Sequence, residues 1–368
     1  MTTPPFEIFL VATPGLEQPL AEEARAAGLA DAAVVDGGVA LMGTWADVWR
    51  ANLVLRGPTR VLARLTSFRA LHLAQLDKRA RKLPWSDWLL PDRAVHVEAT
   101  CRRSRIYHGG AAAQRVATAI RETLGAPIAE DAAIRIMVRI EDDLVTISLD
   151  TTGPSLHKRG FKEAVSKAPM RETMAAMFLR QCGFTGTEPV LDPMCGSGTF
   201  PIEAAEIASG LLPGRERSFA FEEVPSFDPA AWADLRASGT AKPIAALFYG
   251  SDRDAGAIRM ATDNAVRAGV AASTRFAQST LEDLNPPEGP PGLVIVNPPY
   301  GTRIGSKGPL IGVHRTLGTV LKTRFPGWRV GIVTADRQLA EATGLRFDPP
   351  LPPVLHGGIR VGLYRAQL

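Results

Sequence analysis

The sequence predicts an α/β protein whose C-terminal half is a mostly parallel, doubly wound sheet, preceded by two smaller α+β units. Three observations predict it. From about residue 153, strand-like and helix-like segments alternate, the pattern of a parallel sheet with helices on both faces. Two of those strands end in unusual turns, Gly196-Ser197-Gly198 and Pro298-Pro299. Before residue 153 the strands come in hairpins around short helices instead. The chain has 368 residues, enough for two or three domains of about 100–200 residues.

Taken in order, FEIFLVA is strand-like, and PGLEQPLAEEARAAG is a helix stopped by Gly28. AAVVDGGVALMG is a hairpin turning at Asp36-Gly37-Gly38. TWADVWRANLVL has a Thr44 cap and apolar residues at helical spacing, and RVLARLTSF is a strand. This βαββαβ order predicts a ferredoxin-like unit over residues 1–70. A second α/β unit is expected over 71–152. In it LAQLDKRARKL and PWSDWL are helical or irregular, AVHVEATC is a strand and GGAAAQRVATAIRETLG a helix. AIRIMVRIEDDLVTISLD alternates on both sides of Glu141-Asp142-Asp143 and is a hairpin.

The third region, 153–368, begins its alternation with PVLDPMCGSGTF, a strand entering a glycine-rich turn. PIEAAEIASG, AGAIRMATDNAVRAG and GVHRTLGTVLKTRF are helices; IAALFYGSD, GLVIVNPPYG and WRVGIVTAD are strands. The end of the chain is a hairpin around His356-Gly357-Gly358 at the sheet edge. Ser209 to Lys242, with Phe219, Phe221, Phe227 and Trp232, reads as an ordered insertion on the sheet surface.

Composition bounds the function. The chain is 45% hydrophobic and 22% charged, as folded soluble proteins are. No apolar run approaches the ~18–20 residues of a membrane span, and the start lacks a leader pattern, so a cytoplasmic protein with no membrane partner is expected. Cys101, Cys182 and Cys195 are too few and too scattered for a disulfide framework or a zinc cluster. The six histidines show no ligand spacing, so no metal is expected. Between Arg56 and Arg115 stand thirteen Lys/Arg against four acids. That stretch faces phosphates or is a solvated basic surface; charge alone leaves both open.

Three constellations carry chemistry. In Asp192-Pro193-Met194-Cys195-Gly196-Ser197-Gly198-Thr199 the glycines let the backbone turn and approach a ligand. The third glycine of the dinucleotide fingerprint is absent and no GK[ST] follows, which argues against a phosphate cradle. The turn better suits an adenosine carrying a zwitterionic amino-acid tail, or no ligand at all. Asp252 ends the next strand, where an acid can accept from a ribose diol; Asp254 is placed to cap the following helix. Asn297-Pro298-Pro299-Tyr300 ends a buried strand. Its prolines remove two N–H donors and stiffen the loop. The Asn297 side-chain oxygen and the Pro298 carbonyl can grip an NH₂ group, and the Tyr300 ring can stack on a flat base.

DPMCGSGTFPIEAA with NPPYG resembles class I methyltransferases acting on exocyclic amines. LDTTGPSLHKRGFKEAVSKAPMRETMAA closely resembles the segment joining a THUMP domain to its methyltransferase in the large-subunit (23S) ribosomal RNA guanine-N2 methyltransferases. VATPGLEQPLAEE, ANLVLRGPTRVLARLTSF, SRIYHGGAAAQRVATAI and the insertion LLPGRERSFAFEEVPSFD are similar to that family as well. The likeness covers essentially the whole chain, in the form with a single methyltransferase module. It implies a class I (Rossmann-like) methyltransferase sheet preceded by α+β ferredoxin-like and THUMP units. It implies S-adenosyl-L-methionine as cofactor and RNA as partner, ribosomal or transfer RNA, bound by a monomer. By resemblance Asp192, Met194, Cys195, Gly196, Ser197, Gly198 and Thr199 line the methionine end of the cofactor, and Asp252 holds the ribose. Lys167, Ala168, Pro169 and Glu172 close the pocket from the side. Asn297, Pro298, Pro299 and Tyr300 hold the target base, with Asn297 also beside the cofactor. Where the family places an acid for the adenine amine this chain has Thr280, so that hydroxyl or Asp283 takes the contact. The implied product is N2-methylguanosine in 23S ribosomal RNA. The alternatives are a transfer RNA guanine-N2 enzyme, a DNA or RNA adenine-N6 enzyme, and an inactive RNA-binding ribosome-assembly factor.

Overall fold

The computed structural model describes residues 4–163, 170–239, 241–244, 247–300 and 307–368. The chain forms two compact units, neither contiguous in sequence. One is Met1–Ala12, Ala21–Leu156 and Arg217–Ser238; the other is Thr13–Leu20, His157–Glu216 and Gly239–Leu368.

The chain opens with β1 (Phe6–Val11), α1 (Glu17–Ala26), β2 (Ala33–Val35), β3 (Gly38–Gly43), α2 (Trp45–Val54) and β4 (Arg60–Arg69). Thr44 starts α2 as expected: the Asp47 carboxylate accepts from the Thr44 N–H at 2.8 Å and from its hydroxyl at 3.0 Å. The strands pair antiparallel in the order β2-β3-β1-β4, the ferredoxin-like arrangement. Next come α3 (Leu73–Ala80), β5 (Val95–Arg102), α4 (Gly109–Leu124), β6 (Ile134–Glu141) and β7 (Leu144–Asp150). β5 and β6 are parallel across the α4 crossover, and β6 and β7 form the expected hairpin. Along β6, Ile134, Ile136, Val138 and Ile140 are buried and alternate with partly exposed residues, as the period of two requires.

The sequence reading kept these two α+β units apart. In the structure β4 pairs antiparallel with β7 from Leu62↔Asp150 to Arg69↔Leu144. They therefore share one seven-stranded sheet, β2-β3-β1-β4-β7-β6-β5.

After α5 (Glu172–Gln181), β8 (Val190–Asp192) and α6 (Thr199–Ser209) the chain returns to the first unit. There it makes a 3₁₀ turn at Ala220–Glu223 and α7 (Pro229–Ala237), which Asp228 caps by accepting from Ala230 and Ala231. The insertion is thus ordered, but its aromatics join the first unit: Phe221 lies 6.2 Å from Trp49 of α2 and 5.0 Å from Trp232.

The second unit continues with β9 (Phe248–Asp252), α8 (Ala255–Arg267), β10 (Thr274–Gln278), β11 (Leu293–Val296), α9 (Lys307–Arg324), β12 (Arg329–Thr334), α10 (Arg337–Ala342), β13 (Val354–His356) and β14 (Ile359–Gln367). The sheet order is β10-β9-β8-β11-β12-β14-β13. The first five strands are parallel, and β14 runs antiparallel to β12. Val294, Val296, Ile332, Leu317, Leu321 and Phe325 pack in its core. Chain order reverses between β8 and β11. In an open parallel sheet that reversal leaves a crevice at the carboxyl ends of the strands.

Candidate functional site

Three of the expected residues, Asp192, Asp252 and Asn297, stand at that crevice. β11 is in register with β8 at Leu293↔Val190 and Val294↔Leu191, and β8 with β9 at Asp192↔Gly250. Asp192, Asp252 and Asn297 therefore leave three neighbouring strands at the same end of the sheet.

Backbone donors tie the glycine-rich loop to both acids. The Met194 N–H donates to Asp192 Oδ1 at 3.0 Å, and the Gly196 N–H to Asp252 Oδ2 at 3.1 Å. Cys195 N–H donates to the Ser251 carbonyl at 2.9 Å, and Gly198 N–H to the Cys195 carbonyl at 2.8 Å. Gly198 caps α6 at φ +83° and supplies no side chain, so the first N–H groups of that helix stay available to an anion. A Cβ at Gly250 would lie 2.7 Å from the Phe276 ring and 2.9 Å from Cys195 Sγ, so a side chain at that point of β9 would push the loop outward. Asp254 caps α8 as expected, accepting from the Gly256 N–H at 2.7 Å. Its own N–H donates to Asp252 Oδ1 at 3.0 Å. Each Asp252 oxygen thus takes one backbone donor and keeps a lone pair.

The carboxyl of Asp192 is buried. Burial first, and the Asp252 charge second, push its pKa up to about 8, against the pull of the Met194 N–H. Burial and the same two acids raise the Cys195 thiol well above its ordinary value, which makes it a packing group.

Asn297 follows β11 directly. Its side-chain oxygen is buried and has no hydrogen-bond partner among the described residues. Pro298 and Pro299 bring no N–H to it. Tyr300 is half-buried, burial raises its phenol pKa, and its oxygen lies 3.3 Å from His356 Nδ1.

Thr280 and Asp283 are both exposed and engage each other, the Thr280 hydroxyl donating to Asp283 Oδ2 at 2.7 Å. The Ser279 N–H donates to the Asp252 carbonyl at 3.0 Å, which brings this loop alongside the ribose acid. Glu172, buried at the start of α5, faces Lys162 Nζ at 3.1 Å. That ammonium also donates to Thr199 Oγ1 at 2.9 Å and to the Met170 carbonyl at 3.0 Å. Phe161, Lys162, Glu172, Ser197, Thr199 and Asn264 border a narrow crevice beside the glycine loop. Lys162 was not singled out in the sequence, because its partners lie on separate segments. Lys167, Ala168 and Pro169 lie outside the described residues. Among the described residues no group of three His, Cys, Asp or Glu is arranged to hold a metal ion, and no helix is long and apolar enough to cross a membrane.

Residues 159–349 match the family described as RMKL-like, methyltransferase domain; residues 7–62 match the RlmL ferredoxin-like domain and residues 72–150 the THUMP domain. The chain belongs to the RMKL-like methyltransferase family. That family is S-adenosylmethionine-dependent, and the sheet order above is the class I methyltransferase order. A Synechocystis protein, provisionally named an RNA methyltransferase, is 31% identical over all of this chain and 97% of its own length. The Ribosomal RNA large subunit methyltransferase K/L of Vibrio campbellii is 32% identical over 92% of this chain; the match spans 50% of that longer enzyme. Among solved structures, SMU.472, described as a methyltransferase in complex with S-adenosylhomocysteine, superposes with TM-score 0.91 at 28% identity, covering 99% of this chain and 98% of its own. A Listeria monocytogenes protein provisionally named an N6-adenine-specific DNA methylase superposes with TM-score 0.88 at 30% identity, over 98% and 96% of the two chains.

Proposed function

We propose that this chain transfers a methyl group from S-adenosylmethionine to the exocyclic amine of an RNA base, N2 of a guanine in large-subunit ribosomal RNA. The observation that carries the reading is the Asn297 side-chain oxygen: buried, without a hydrogen-bond partner among the described residues, and set at the crevice between β8 and β11. A buried acceptor left without a donor costs about 1–3 kcal/mol, so it is kept where a ligand supplies the donor. An NH₂ group supplies it, with the Pro298 carbonyl as the second acceptor.

Asp192, Met194, Cys195, Gly196, Ser197, Gly198 and Thr199 would surround the amino-acid end of the cofactor, whose carboxylate suits the N-terminus of α6, where Gly198 brings no side chain to the first N–H groups. Glu172, held by Lys162, would close that end together with Lys167, Ala168 and Pro169. Asp252 would take the ribose diol with its two remaining lone pairs. Asp283 would take the adenine amine, since its carboxylate keeps acceptor sites beyond the one that receives the Thr280 hydroxyl. The bound cofactor supplies an electrophilic methyl carbon on a readily leaving sulfonium. The chain's own work is placement. Asn297 and Pro298 hold both amine hydrogens, which draws the nitrogen toward a tetrahedral form with its lone pair directed outward. Tyr300 covers the base. The transferred group makes the amine proton acidic, so no strong base is needed beside it.

RNA as the polymer is supported by the THUMP match, by the names of the Synechocystis and Vibrio relatives, and by the local excess of cations. Tyr107 is 84% exposed in the run Arg102-Arg103-Ser104-Arg105-Ile106-Tyr107, an aromatic among cations of the kind single-stranded bases stack on. Guanine N2 rests on the likeness of the SLHKRGFK joint. The name of the Listeria relative favours adenine N6 as the second reading.

The test is Asn297→Ala, assayed with labelled cofactor on deproteinised ribosomal RNA and bulk transfer RNA, followed by nucleoside mass spectrometry. The expected result is N2-methylguanosine in 23S RNA, with kcat reduced about 10²–10³-fold in the variant, as for other lost transition-state hydrogen bonds, and cofactor affinity retained. A variant that binds cofactor and methylates near the wild-type rate overturns the mechanism; N6-methyladenine as product overturns the choice of base.

A further inference from the structure

Tyr300 ends the turn read as the base grip, and its phenol meets a residue from the far end of the chain. Tyr300 Oη lies 3.3 Å from Nδ1 of His356, the last residue of β13. Burial raises the phenol pKa, so at neutral pH the phenol is a donor. In the Nε2–H tautomer of His356, Nδ1 accepts from it.

The hairpin that carries His356 is well fixed. β13 and β14 pair at Val354↔Val361, Leu355↔Arg360 and His356↔Ile359, closed by Gly357 at φ +57° and Gly358 at φ +85°. Two consecutive positive-φ residues make the two-residue turn that matches strand twist. Val354 and His356 share a face, and Val354 is buried, so His356 is turned inward. The base of the hairpin is braced as well. The Leu355 N–H donates to the Pro14 carbonyl at 3.2 Å. A Cβ on Gly15 (φ +96°) would lie 2.4 Å from the Pro353 carbonyl oxygen, so a glycine is required for that approach. The support runs from Pro14-Gly15 through β13 to His356 and on to Tyr300.

We propose that His356 is a positioning residue for methyl transfer: by accepting from the Tyr300 phenol it fixes the ring that covers the target base. A tyrosine ring held only at Cβ rotates about two bonds; a hydrogen bond at its far end removes that freedom. Errors of about 1 Å in the placement of a reacting group cost up to ~10²-fold in rate, and one hydrogen bond to a cover ring is expected to account for about half of that on the free-energy scale, roughly tenfold. This inference rests on the reading of Asn297 and Tyr300 as the base grip.

The experiment is a double-variant cycle on the full chain: His356→Ala, Tyr300→Phe, the pair together, and His356→Asn, whose side-chain oxygen replaces Nδ1. RNA methylation is measured at saturating RNA and cofactor, and cofactor affinity by calorimetry. His356→Ala and Tyr300→Phe are each expected to lower kcat about tenfold with cofactor affinity within twofold of wild type. The pair should be no worse than either alone, because both remove one interaction, and His356→Asn should recover most of the rate. A His356→Ala kcat within twofold of wild type, or losses that multiply toward a hundredfold in the pair, overturns the proposal. Asn297→Ala separates the two readings: if it is impaired while His356→Ala is normal, only the role of His356 falls. If Asn297→Ala is itself near normal, the base grip falls and this inference falls with it.

Discussion

Asp192 carries a proton where an ordinary aspartate carries a charge, and that has a consequence for stability. Its carboxyl in the folded chain titrates at about 8, against about 3.9 in an unfolded one. Between those values the native state holds a proton that the unfolded state has released. The contribution is fully present below about pH 4 and is lost as pH rises through about 8. Asp192→Asn fixes the neutral form, so the stability of the variant relative to wild type is expected to rise across that window in urea titrations of the cofactor-free protein. A difference that stays flat from pH 5 to 9 would mean Asp192 is already ionised. Asp192, Asp252 and Asn297 were all visible in the sequence: Asp192 and Asn297 each end an apolar strand where a proline follows, and Asp252 ends a strand just before the Asp254 helix cap. Lys162 and His356 were not. Lys162 meets Glu172 and Thr199, and His356 meets Tyr300, across separate segments of the chain, and no short-range pattern records those meetings.

The glycine-rich loop and α6 form one element, and Gly198 is the residue that joins them. At φ +83° a non-glycine residue pays about 1–2 kcal/mol of backbone strain. A Cβ there would also lie 3.0 Å from Ala261 and 3.1 Å from the Phe276 ring. Gly198→Ala is therefore expected to lose about 1–3 kcal/mol of stability, combining that strain with the usual range for core overpacking. The loop must shift to admit the methyl, so cofactor affinity should fall as well, which calorimetry reads directly. Unchanged affinity would place the cofactor away from this loop. Elements with one wet face were legible: β6 alternates, and α4 and α8 each carry one buried stripe. α5 was not, because Glu172 through Leu179 are all buried and no polar face marks the period. The β4–β7 ladder left no trace either, since strand pairing between distant segments is decided by topology rather than by local residues.

At the scale of the whole molecule, the division proposed from sequence, 1–70, 71–152 and 153–368, treats each part as a contiguous stretch. The compact units do not follow it: the chain passes between them after Ala12, Leu20, Leu156, Glu216 and Ser238. Arg217–Ser238 is the consequential crossing, because it carries core aromatics into the first unit. Phe221 is fully buried, stacked on Phe219 at 5.2 Å and edge-on to Trp232 at 5.0 Å, with Trp49 of α2 beside it. Removing such a ring leaves a cavity that costs about 3–5 kcal/mol. Phe221→Ala is therefore expected to destabilise the first unit by that amount, although the residue lies far along the sequence, among residues read as belonging to the third part. Five of the six tryptophans (45, 49, 85, 88 and 232) lie in the first unit, so tryptophan fluorescence during urea unfolding follows its loss. Cofactor affinity should stay at the wild-type value, since the candidate site residues all belong to the second unit. The same packing makes a cut at residue 152 harmful to both halves: the N-terminal fragment loses the partners of Trp49, and the C-terminal fragment exposes Phe219, Phe221 and Trp232. A Phe221→Ala protein with an unshifted fluorescence transition would show that residues 217–238 are a passive loop and that contiguous division is the right one.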